Sequence, residues 1–191
     1  MKSGWDKHIL LWGMMGTGKS TLGPRLADRM TRPFFDLDHR VEESEGLSVR
    51  ELFTRFGEDH FRTIEHRVLQ ALLAQTPASV IALGGGTLLD AEVRQWAAER
   101  GVIVTLTAHI DALTARLQND QTRPLLRGQT AQTDIEQLLE ERAAAYRDVD
   151  YLLDTTGCTP EDLVVQLEAE IHYGGGPVAE GNVLSSFEVN P

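Results

Sequence analysis

Short apolar segments alternate with longer amphipathic segments along most of the chain. Five of the apolar segments are short enough to be strands, and they span residues 8–13, 33–38, 80–83, 102–106 and 151–154. Nearly continuous apolar runs of this length are typical of strands that are covered on both faces. Because these runs alternate with helical patterns, the sequence predicts an α/β fold in which helices cover both faces of a parallel sheet.

The amphipathic segments carry the signals of helices. Leu22, Leu26 and Met30 repeat every four residues and therefore fall on one face of a helix. Asp90 is a typical N-cap residue and Gly101 a typical stop, so a helix is predicted between them.

Three stretches interrupt the alternation. Residues 38–73 contain helical patterns and no strand, which predicts a helical insertion after the second strand. Residues 118–133 are polar, and a polar loop of this length is usually functional or disordered. Residues 174–191 begin with three glycines and show no periodicity, which fits a flexible tail or expression remnant, or else a linker or docking segment. We therefore expect one domain over residues 1–173, followed by a tail.

Composition restricts the class of protein further. A chain of 191 residues, 41% of them hydrophobic, is expected to form one ordered domain, and no apolar run is long enough to cross a membrane. The formal net charge of −11 disfavours nucleic acid as a partner. Cys158 is the single cysteine, and glycines break the N-terminal apolar run, unlike a signal peptide. These features favour the cytoplasm.

Residues 13–20 match the pattern G-x-x-x-x-G-K-[ST] of a phosphate-binding loop, between a predicted strand and a predicted helix. Glycines allow the backbone N–H groups of such a loop to converge on phosphate oxygens, and the helix N-terminus adds a partial positive charge. Lys19 would reach the β- and γ-phosphates, and the hydroxyl of Ser20 would hold Mg²⁺. The alternative is a glycine-rich turn that binds nothing, but the flanking elements favour a nucleotide site.

Two carboxylates, Asp36 and Asp38, stand at the end of the second predicted strand. Alternate residues of a strand share a face, so both side chains are expected to point the same way. Ligands of open parallel sheets gather beyond the carboxyl ends of the strands. One carboxylate could serve Mg²⁺ through water, and the other could accept a proton from a substrate hydroxyl. A cap for the next helix is the alternative interpretation.

Two arginines are associated with the apolar faces of predicted helices. Glu65 falls on the apolar stripe of its segment, and Arg62 precedes it by three residues. This is either a solvated surface pair or an Arg held by Glu and aimed at an anion, which explains the inward position better. Arg142 occupies an apolar-face position within residues 134–147. It either extends its stem along the core into solvent or binds a carboxylate in a cleft.

Two loops carry further candidate ligand-binding residues. Residues 84–86 are three consecutive glycines after the third predicted strand, which indicates either a close approach of the backbone to a ligand or a plain loop. The polar loop is bracketed by Arg116 and by the cluster that contains Arg123. We interpret residues 116–130 as a lid that brings arginines to the phosphates and excludes water, with solvated loop arginines as the alternative.

In combination, these residues resemble the shikimate kinase family, whose members are P-loop kinases of the nucleoside-monophosphate-kinase type. The resemblance covers about residues 8–170 and rests on six motifs in the family's order: GMMGTGKST, FFDLD, GEDHFRTIE, GGGT, RPLL and ER…Y. It implies a three-layer α/β/α fold with a five-stranded parallel sheet, a substrate-binding insertion and a mobile lid. It also implies Mg²⁺-dependent transfer of the γ-phosphate of ATP to the 3-hydroxyl of shikimate.

The resemblance also implies roles for individual residues. Catalytic roles are expected for Lys19, Asp38 and Arg123, and Mg²⁺ is expected at Ser20 and Asp36. The residues expected to bind ATP are Gly13, Met14, Met15, Gly16, Thr17, Gly18, Lys19, Ser20, Thr21, Arg116, Arg123 and Pro160. The residues expected to bind shikimate are Asp38, Phe53, Phe61, Arg62, Gly84, Gly85, Gly86 and Arg142. The protein is expected to act as a monomer, with Mg²⁺ as its cofactor.

Two other functions stay open on the sequence. Another small-molecule kinase, acting on gluconate or a nucleoside monophosphate, would share the phosphate-binding loop but would not explain the GGGT, FR and ER motifs together. A non-catalytic module that senses ATP would bind the nucleotide without releasing ADP in response to an acceptor. The presence of Lys19, Asp38 and Arg123 argues against such a module.

Overall fold

The computed structural model describes residues 6–74, 77–117 and 132–173. Within these ranges the chain forms five strands, which are β1 (His8–Trp12), β2 (Phe34–Asp36), β3 (Val80–Ala82), β4 (Gly101–Thr107) and β5 (Tyr151–Asp154). The same ranges contain helices α1 (Lys19–Arg29), α2 (Leu37–Glu45), α3 (Val49–Phe56), α4 (Glu58–Ala74), α5 (Ala91–Arg100), α6 (Ile110–Leu117), α7 (Gln132–Arg147) and α8 (Pro160–Tyr173). None of these described helices is both long enough and apolar enough to cross a membrane.

The five strands pair in parallel in one sheet, in the order β2-β3-β1-β4-β5. The predicted five-stranded parallel sheet is therefore confirmed. Four of the predicted apolar runs each contain one strand, and β4 extends one residue beyond the fifth run, 102–106, at each end. The chain places β2 and β3 on one side of β1, and β4 and β5 on the other. At such a reversal of strand order, ligands bind beyond the carboxyl ends of the strands. The carboxyl end of β1 is therefore the place where this topology predicts a site.

Alternate residues of the central strand β1 enter opposite faces of the sheet. Ile9 and Leu11 pack in a buried cluster with residues of α1 and α8. Leu10 and Trp12 pack in a second cluster with residues of α4, α5, α6 and α7. Each fully buried aliphatic or aromatic side chain of this kind stabilises the fold by about 1.5–3 kcal/mol relative to an exposed one. Helices thus cover both faces, and the predicted three-layer α/β/α architecture is confirmed.

The predicted helix boundaries at Asp90 and Gly101 are also confirmed. The Asp90 carboxylate accepts hydrogen bonds from the N–H groups of Glu92 and Val93, at 2.8 and 3.2 Å. Helix α5 therefore begins with two of its free N–H groups satisfied, and it ends at the residue before Gly101.

Helices α2, α3 and α4 lie between β2 and β3, and the described residues of this segment form no strand, as predicted for the insertion. Helix α3 begins at a capping box, in which Ser48 Oγ accepts from the Glu51 N–H at 3.2 Å and Glu51 Oε2 accepts from the Ser48 N–H at 3.0 Å. The three helices share a small apolar core, which consists of Val41, Leu52, Phe61 and Ile64.

Two predicted segments lie partly or wholly outside the described residues. Arg116 and Leu117, which begin the predicted lid, are the last residues of helix α6. The rest of the lid, including Arg123, lies outside the described ranges, as does the tail at residues 174–191.

Candidate active site

A cavity of about 580 Å³ opens beyond the carboxyl ends of β1 and β3, within the size range of small-molecule sites. The predicted site residues that line it are Met15, Gly16, Thr17, Gly18, Lys19, Ser20, Thr21, Asp36, Asp38, Phe53, Phe61, Arg62, Gly84, Gly85, Gly86, Arg116, Arg142 and Pro160. Gly13 and Met14 do not line it, although they immediately precede the lining residues of the phosphate-binding loop. The fold thus brings segments that are distant in sequence to one cavity.

The phosphate-binding loop connects β1 to α1 and has a conformation that depends on glycine. Gly13 has a φ of +126°, and a Cβ at this position would lie 2.2 Å from the Leu106 carbonyl oxygen of the neighbouring strand β4. A side chain here would therefore be excluded by both strain and contact. The Lys19 ammonium donates hydrogen bonds to the carbonyls of Gly13 and Met14, at 2.7 and 2.8 Å. These contacts hold the positive charge of Lys19 within the loop.

The two aspartates differ from the strand geometry that was predicted for them. Strand β2 ends at Asp36, and Asp38 lies in the first turn of α2, so the argument from strand alternation is wrong. Asp36 Oδ1 accepts from the N–H groups of Asp38 and His39, at 3.1 and 3.5 Å, and so caps α2. Its other oxygen, Oδ2, accepts from the Ser20 hydroxyl at 3.0 Å. The capping interpretation and the approach to the phosphate-binding loop therefore both apply to Asp36.

The interaction between Arg62 and Glu65 is buried, so the alternative of a solvated surface pair is wrong. Glu65 has no exposed surface, and its Oε2 accepts from Arg62 Nη1 at 2.7 Å. The other oxygen, Oε1, accepts from the Thr87 hydroxyl at 2.7 Å. Burial lowers the pKa of Arg62, but Glu65 and Glu58 raise it more, so its pKa lies above the ordinary value. Arg62 is thus fixed in its charged form beside the cavity.

The apolar wall next to Arg62 is formed by two aromatic rings. The ring centroids of Phe53 and Phe61 are 4.6 Å apart, and Phe61 is almost fully buried. The guanidinium carbon of Arg62 lies 5.9 and 5.2 Å from these two centroids. This wall lies in the insertion, on helices α3 and α4.

The three glycines after β3 lie directly against charged side chains. A Cβ at Gly86 would lie 2.2 Å from Arg62 Nη2, and one at Gly84 would lie 2.7 Å from Glu65 Oε1. A Cβ at Gly85 would lie 3.1 Å from Arg142 Nη1. The protein's own guanidinium and carboxylate groups therefore lie close to this backbone, and the approach of a ligand to it stays a prediction.

Arg142 is buried in helix α7, with only 6% of its surface exposed, so the interpretation in which its guanidinium extends into solvent is wrong. Its Nη1 donates to the thioether of Met14 at 3.9 Å, and the guanidinium also interacts with the Tyr146 hydroxyl. Among the described residues, no carboxylate lies within 4.0 Å of it. A buried cation that lacks a counter-ion and lines a cavity attracts an anion.

On the side of β5, the cavity adjoins the loop between β5 and α8. Arg116 donates to the carbonyl of Gly16 at 3.0 Å and to the carbonyl of Thr155 at 3.2 Å. Pro160 is the first residue of α8, and Cys158, which is exposed, lines the cavity beside it. Thr155 and Cys158 are absent from the predicted set. The rule that sites form at the carboxyl ends of parallel strands could have indicated both, because they follow β5.

Two further residues that the sequence pattern assigns only to the core also contact the glycine loop. Trp12 Nε1 donates to the Gly85 carbonyl at 3.2 Å, and the Tyr146 hydroxyl donates to the same oxygen at 2.9 Å. Both side chains carry a polar group that needs a partner when it is buried. That requirement is a signal in the sequence, although it does not identify the partner.

The oxygen atoms of Ser20 and Asp36 are suited to a hard cation such as Mg²⁺, which prefers hydroxyl, carboxylate, phosphate and water oxygens. In the described part of the chain, no cluster of three His, Cys, Asp or Glu side chains forms a protein-only metal centre. Mg²⁺ usually binds through one or two protein oxygens together with substrate phosphates. The residues present therefore fit a nucleotide-bound Mg²⁺.

Comparisons with known proteins agree with this geometry. The family model for shikimate kinase matches residues 15–172. The chain is 37% identical to shikimate kinase from Geobacter sulfurreducens over 161 residues, which are 84% of this chain and 88% of that protein. It is 39% identical to the enzyme of the same name from Zymomonas mobilis, over 85% of this chain and 92% of that protein. The structure of shikimate kinase from Acinetobacter baumannii in complex with shikimate superposes with a TM-score of 0.83, at 33% identity, over 88% of this chain and 94% of that one.

Proposed function

Because the chain belongs to the shikimate kinase family, we propose that it transfers the γ-phosphoryl group of ATP to the 3-hydroxyl of shikimate. One observation of the site carries the proposal for the acceptor. The buried guanidinium of Arg142 has no carboxylate within ion-pair distance among the described residues and lines the same cavity as Asp38. A hydroxylated carboxylic acid presents an anion to the first group and a hydroxyl to the second.

The nucleotide occupies the end of the cavity that is formed by residues 13–21, Arg116 and Pro160. The helix N-terminus and the loop N–H groups provide a site for phosphates. Lys19 would leave the carbonyls of Gly13 and Met14 and bind phosphate oxygens, because a charged acceptor makes a stronger hydrogen bond than a neutral one. Arg116 on α6 and Pro160 at the start of α8 would flank the base, since both line the cavity and Arg116 contacts the loop at Gly16.

Ser20 and Asp36 would hold Mg²⁺ between the phosphate-binding loop and the start of α2. The cation supplies charge neutralisation at the β- and γ-phosphates when it is bound. Asp36 Oδ1 is occupied by the cap of α2, so Oδ2, which faces Ser20, is the oxygen available to the cation or to its water.

The acceptor occupies the end that is lined by the insertion, the glycine loop and α7. Arg62 and Arg142 would bind the carboxylate of shikimate, and the rings of Phe53 and Phe61 would contact its carbon ring. Asp38 would accept a hydrogen bond from the reacting hydroxyl and orient or deprotonate it. On this proposal, the insertion is the part of the domain that binds the acceptor.

The lid at residues 116–130 and its Arg123 complete the proposed site. Closure would exclude water from the γ-phosphate, and Arg123 would stabilise the charge that moves during transfer. The proposal further includes a monomer that acts in the cytoplasm, without nucleic acid or membrane partners, which the net charge of −11 and the single cysteine support.

The reaction is tested by a coupled assay of ADP release in the presence of Mg²⁺, with and without shikimate. We expect ADP release to depend on shikimate and the product to carry phosphate at the 3-hydroxyl. Gluconate and nucleoside monophosphates serve as control acceptors. ADP release that follows one of these acceptors, and not shikimate, would identify a different small-molecule kinase, and ATP binding without any acceptor-dependent release would indicate a nucleotide sensor.

Replacement of Glu65 by glutamine should raise the KM for shikimate about 5–10-fold and leave the KM for ATP unchanged. The variant keeps the size of the side chain but removes the charge that pairs with Arg62 at 2.7 Å in a buried position. Steady-state kinetics for each substrate measure the effect. Glu43→Gln is a matched control, because Glu43 pairs with Arg40 at the same spacing of three residues on an exposed surface. Equal effects of the two substitutions would contradict a role of Glu65 in positioning Arg62.

A further inference from the structure

The carbonyl oxygen of Gly85 accepts two side-chain hydrogen bonds from separate parts of the fold. The indole N–H of Trp12, at the end of β1, donates to it at 3.2 Å, and the hydroxyl of Tyr146, on α7, donates at 2.9 Å. The two rings contact each other edge to face, with centroids 4.6 Å apart. Trp12 has no exposed surface and Tyr146 has 1%, so neither donor has water as an alternative partner.

These bonds determine the orientation of a peptide group that lines the cavity. The carbonyl of Gly85 and the N–H of Gly86 belong to one planar trans peptide, so they point in opposite directions. With the carbonyl held against Trp12 and Tyr146, the Gly86 N–H is directed away from them. No described residue accepts a hydrogen bond from this N–H. It is therefore available to a ligand.

Apart from these two side chains, this peptide is held by a backbone turn, in which the Thr87 N–H donates to the Gly84 carbonyl at 3.2 Å and the Leu89 N–H donates to the Gly86 carbonyl at 3.3 Å. Residues 84–86 are all glycine and have no side chains that could fix their peptide planes. Burial raises the pKa of Tyr146 more than Arg142 lowers it, so the phenol stays protonated and remains a donor. The indole N–H of Trp12 is a donor at every pH. Both side chains therefore remain hydrogen-bond donors to the Gly85 carbonyl.

We propose that Trp12 is a positioning residue for the phosphoryl acceptor, acting through its hydrogen bond to Gly85. The bond holds the Gly85–Gly86 peptide so that the Gly86 N–H can donate to an oxygen of the acceptor. This inference rests on the proposed function, since it assumes that the acceptor occupies the end of the cavity lined by the glycine loop. A phenylalanine at position 12 would serve the packing of the core alone, and the indole N–H is what packing does not require.

The test is the variant Trp12→Phe, which keeps an aromatic ring and removes the donor. We expect the Kd and the KM for shikimate to rise about 3–10-fold, in line with the loss of one hydrogen bond, and the KM for ATP to change less than twofold. Shikimate binding is measured by calorimetry without nucleotide, which separates affinity from chemistry. Trp96→Phe is the matched control, because Trp96 lies on α5 against Arg100, outside the cavity lining, and should leave both substrates unaffected.

A role of Trp12 in stability alone would lower the melting temperature without changing the Kd for shikimate in the folded protein, and that result would overturn the inference. Equal weakening of ATP and shikimate would overturn it as well. If Trp12→Phe does not fold, replacement of Trp12 by the isosteric analogue 3-benzothienylalanine decides the question, since sulfur takes the place of the indole N–H at nearly constant volume and the change is expected to raise the Kd for shikimate in the same way. An unchanged Kd in that variant overturns the inference. Failure of the wild-type protein to phosphorylate shikimate would instead contradict the proposed function.

Discussion

Replacement of Asp38 by asparagine is expected to lower kcat by about 100-fold or more, while the KM for shikimate changes much less. Asparagine has the same shape and can still bind a hydroxyl, but it cannot take the proton that the hydroxyl loses on transfer. General base catalysis of this kind contributes about 10²–10⁴-fold to the rate. Asp38 lines the cavity from the first turn of α2, and its Oδ1 would lie 3.3 Å from a Cβ at Gly84. It is therefore next to the glycine loop of the acceptor end.

Single-turnover and steady-state kinetics of Asp38→Asn measure this effect. Asp111→Asn is the matched control, because Asp111 also lies in the first turn of a helix, α6, but its side chain is 76% exposed. A fall in kcat of less than tenfold for Asp38→Asn would mean that the carboxylate only orients the hydroxyl. Unchanged kinetics would show that Asp38 has no role in the reaction.

Replacement of Arg142 by alanine should raise the KM for shikimate about 30-fold or more and leave the KM for ATP nearly unchanged. Loss of one partner of a buried, hydrogen-bonded charge pair costs about 2–5 kcal/mol, and each 1.4 kcal/mol corresponds to a factor of ten in affinity. The Arg142→Lys variant should recover only part of the affinity, because an ammonium lacks the planar fork that binds both oxygens of a carboxylate. Arg62→Ala is expected to behave in the same way.

The control for Arg142→Ala is Arg147→Ala, a substitution in the last turn of the same helix at an exposed position. Melting temperatures of both variants separate loss of binding from loss of folding. An increase in the KM for ATP with an unchanged KM for shikimate would contradict the assignment of Arg142 to the acceptor.

Those parts of the fold that depend on local pattern could be predicted from the sequence. The five strands follow from short apolar runs, and the phosphate-binding loop follows from glycines and Lys19 at fixed spacing. The inward position of Arg142 could also be predicted, because a charge on an apolar stripe is unusual on any helix.

Other parts depend on where an element ends or on contacts between distant segments. The order Asp-Leu-Asp fits both a strand and the start of a helix, so the sequence did not reveal that β2 ends at Asp36. Trp12 and Gly85 are 73 residues apart, and hydrophobic periodicity assigns Trp12 to the core without indicating which oxygen accepts its N–H. Such contacts are determined by the order of strands in the sheet, which periodicity does not encode.

On the proposed role of Arg142 in binding the acceptor, its burial also affects the stage at which the protein selects that acceptor. At physiological ionic strength, surface charges are screened over about 8 Å, so an anion in solution is not attracted from a distance by a guanidinium that is only 6% exposed. The attraction acts only after the anion has entered the cavity, where mobile ions do not screen it. Acids of similar size should therefore encounter the protein at similar rates. The preferred acid is therefore distinguished by a lower rate of dissociation from the cavity.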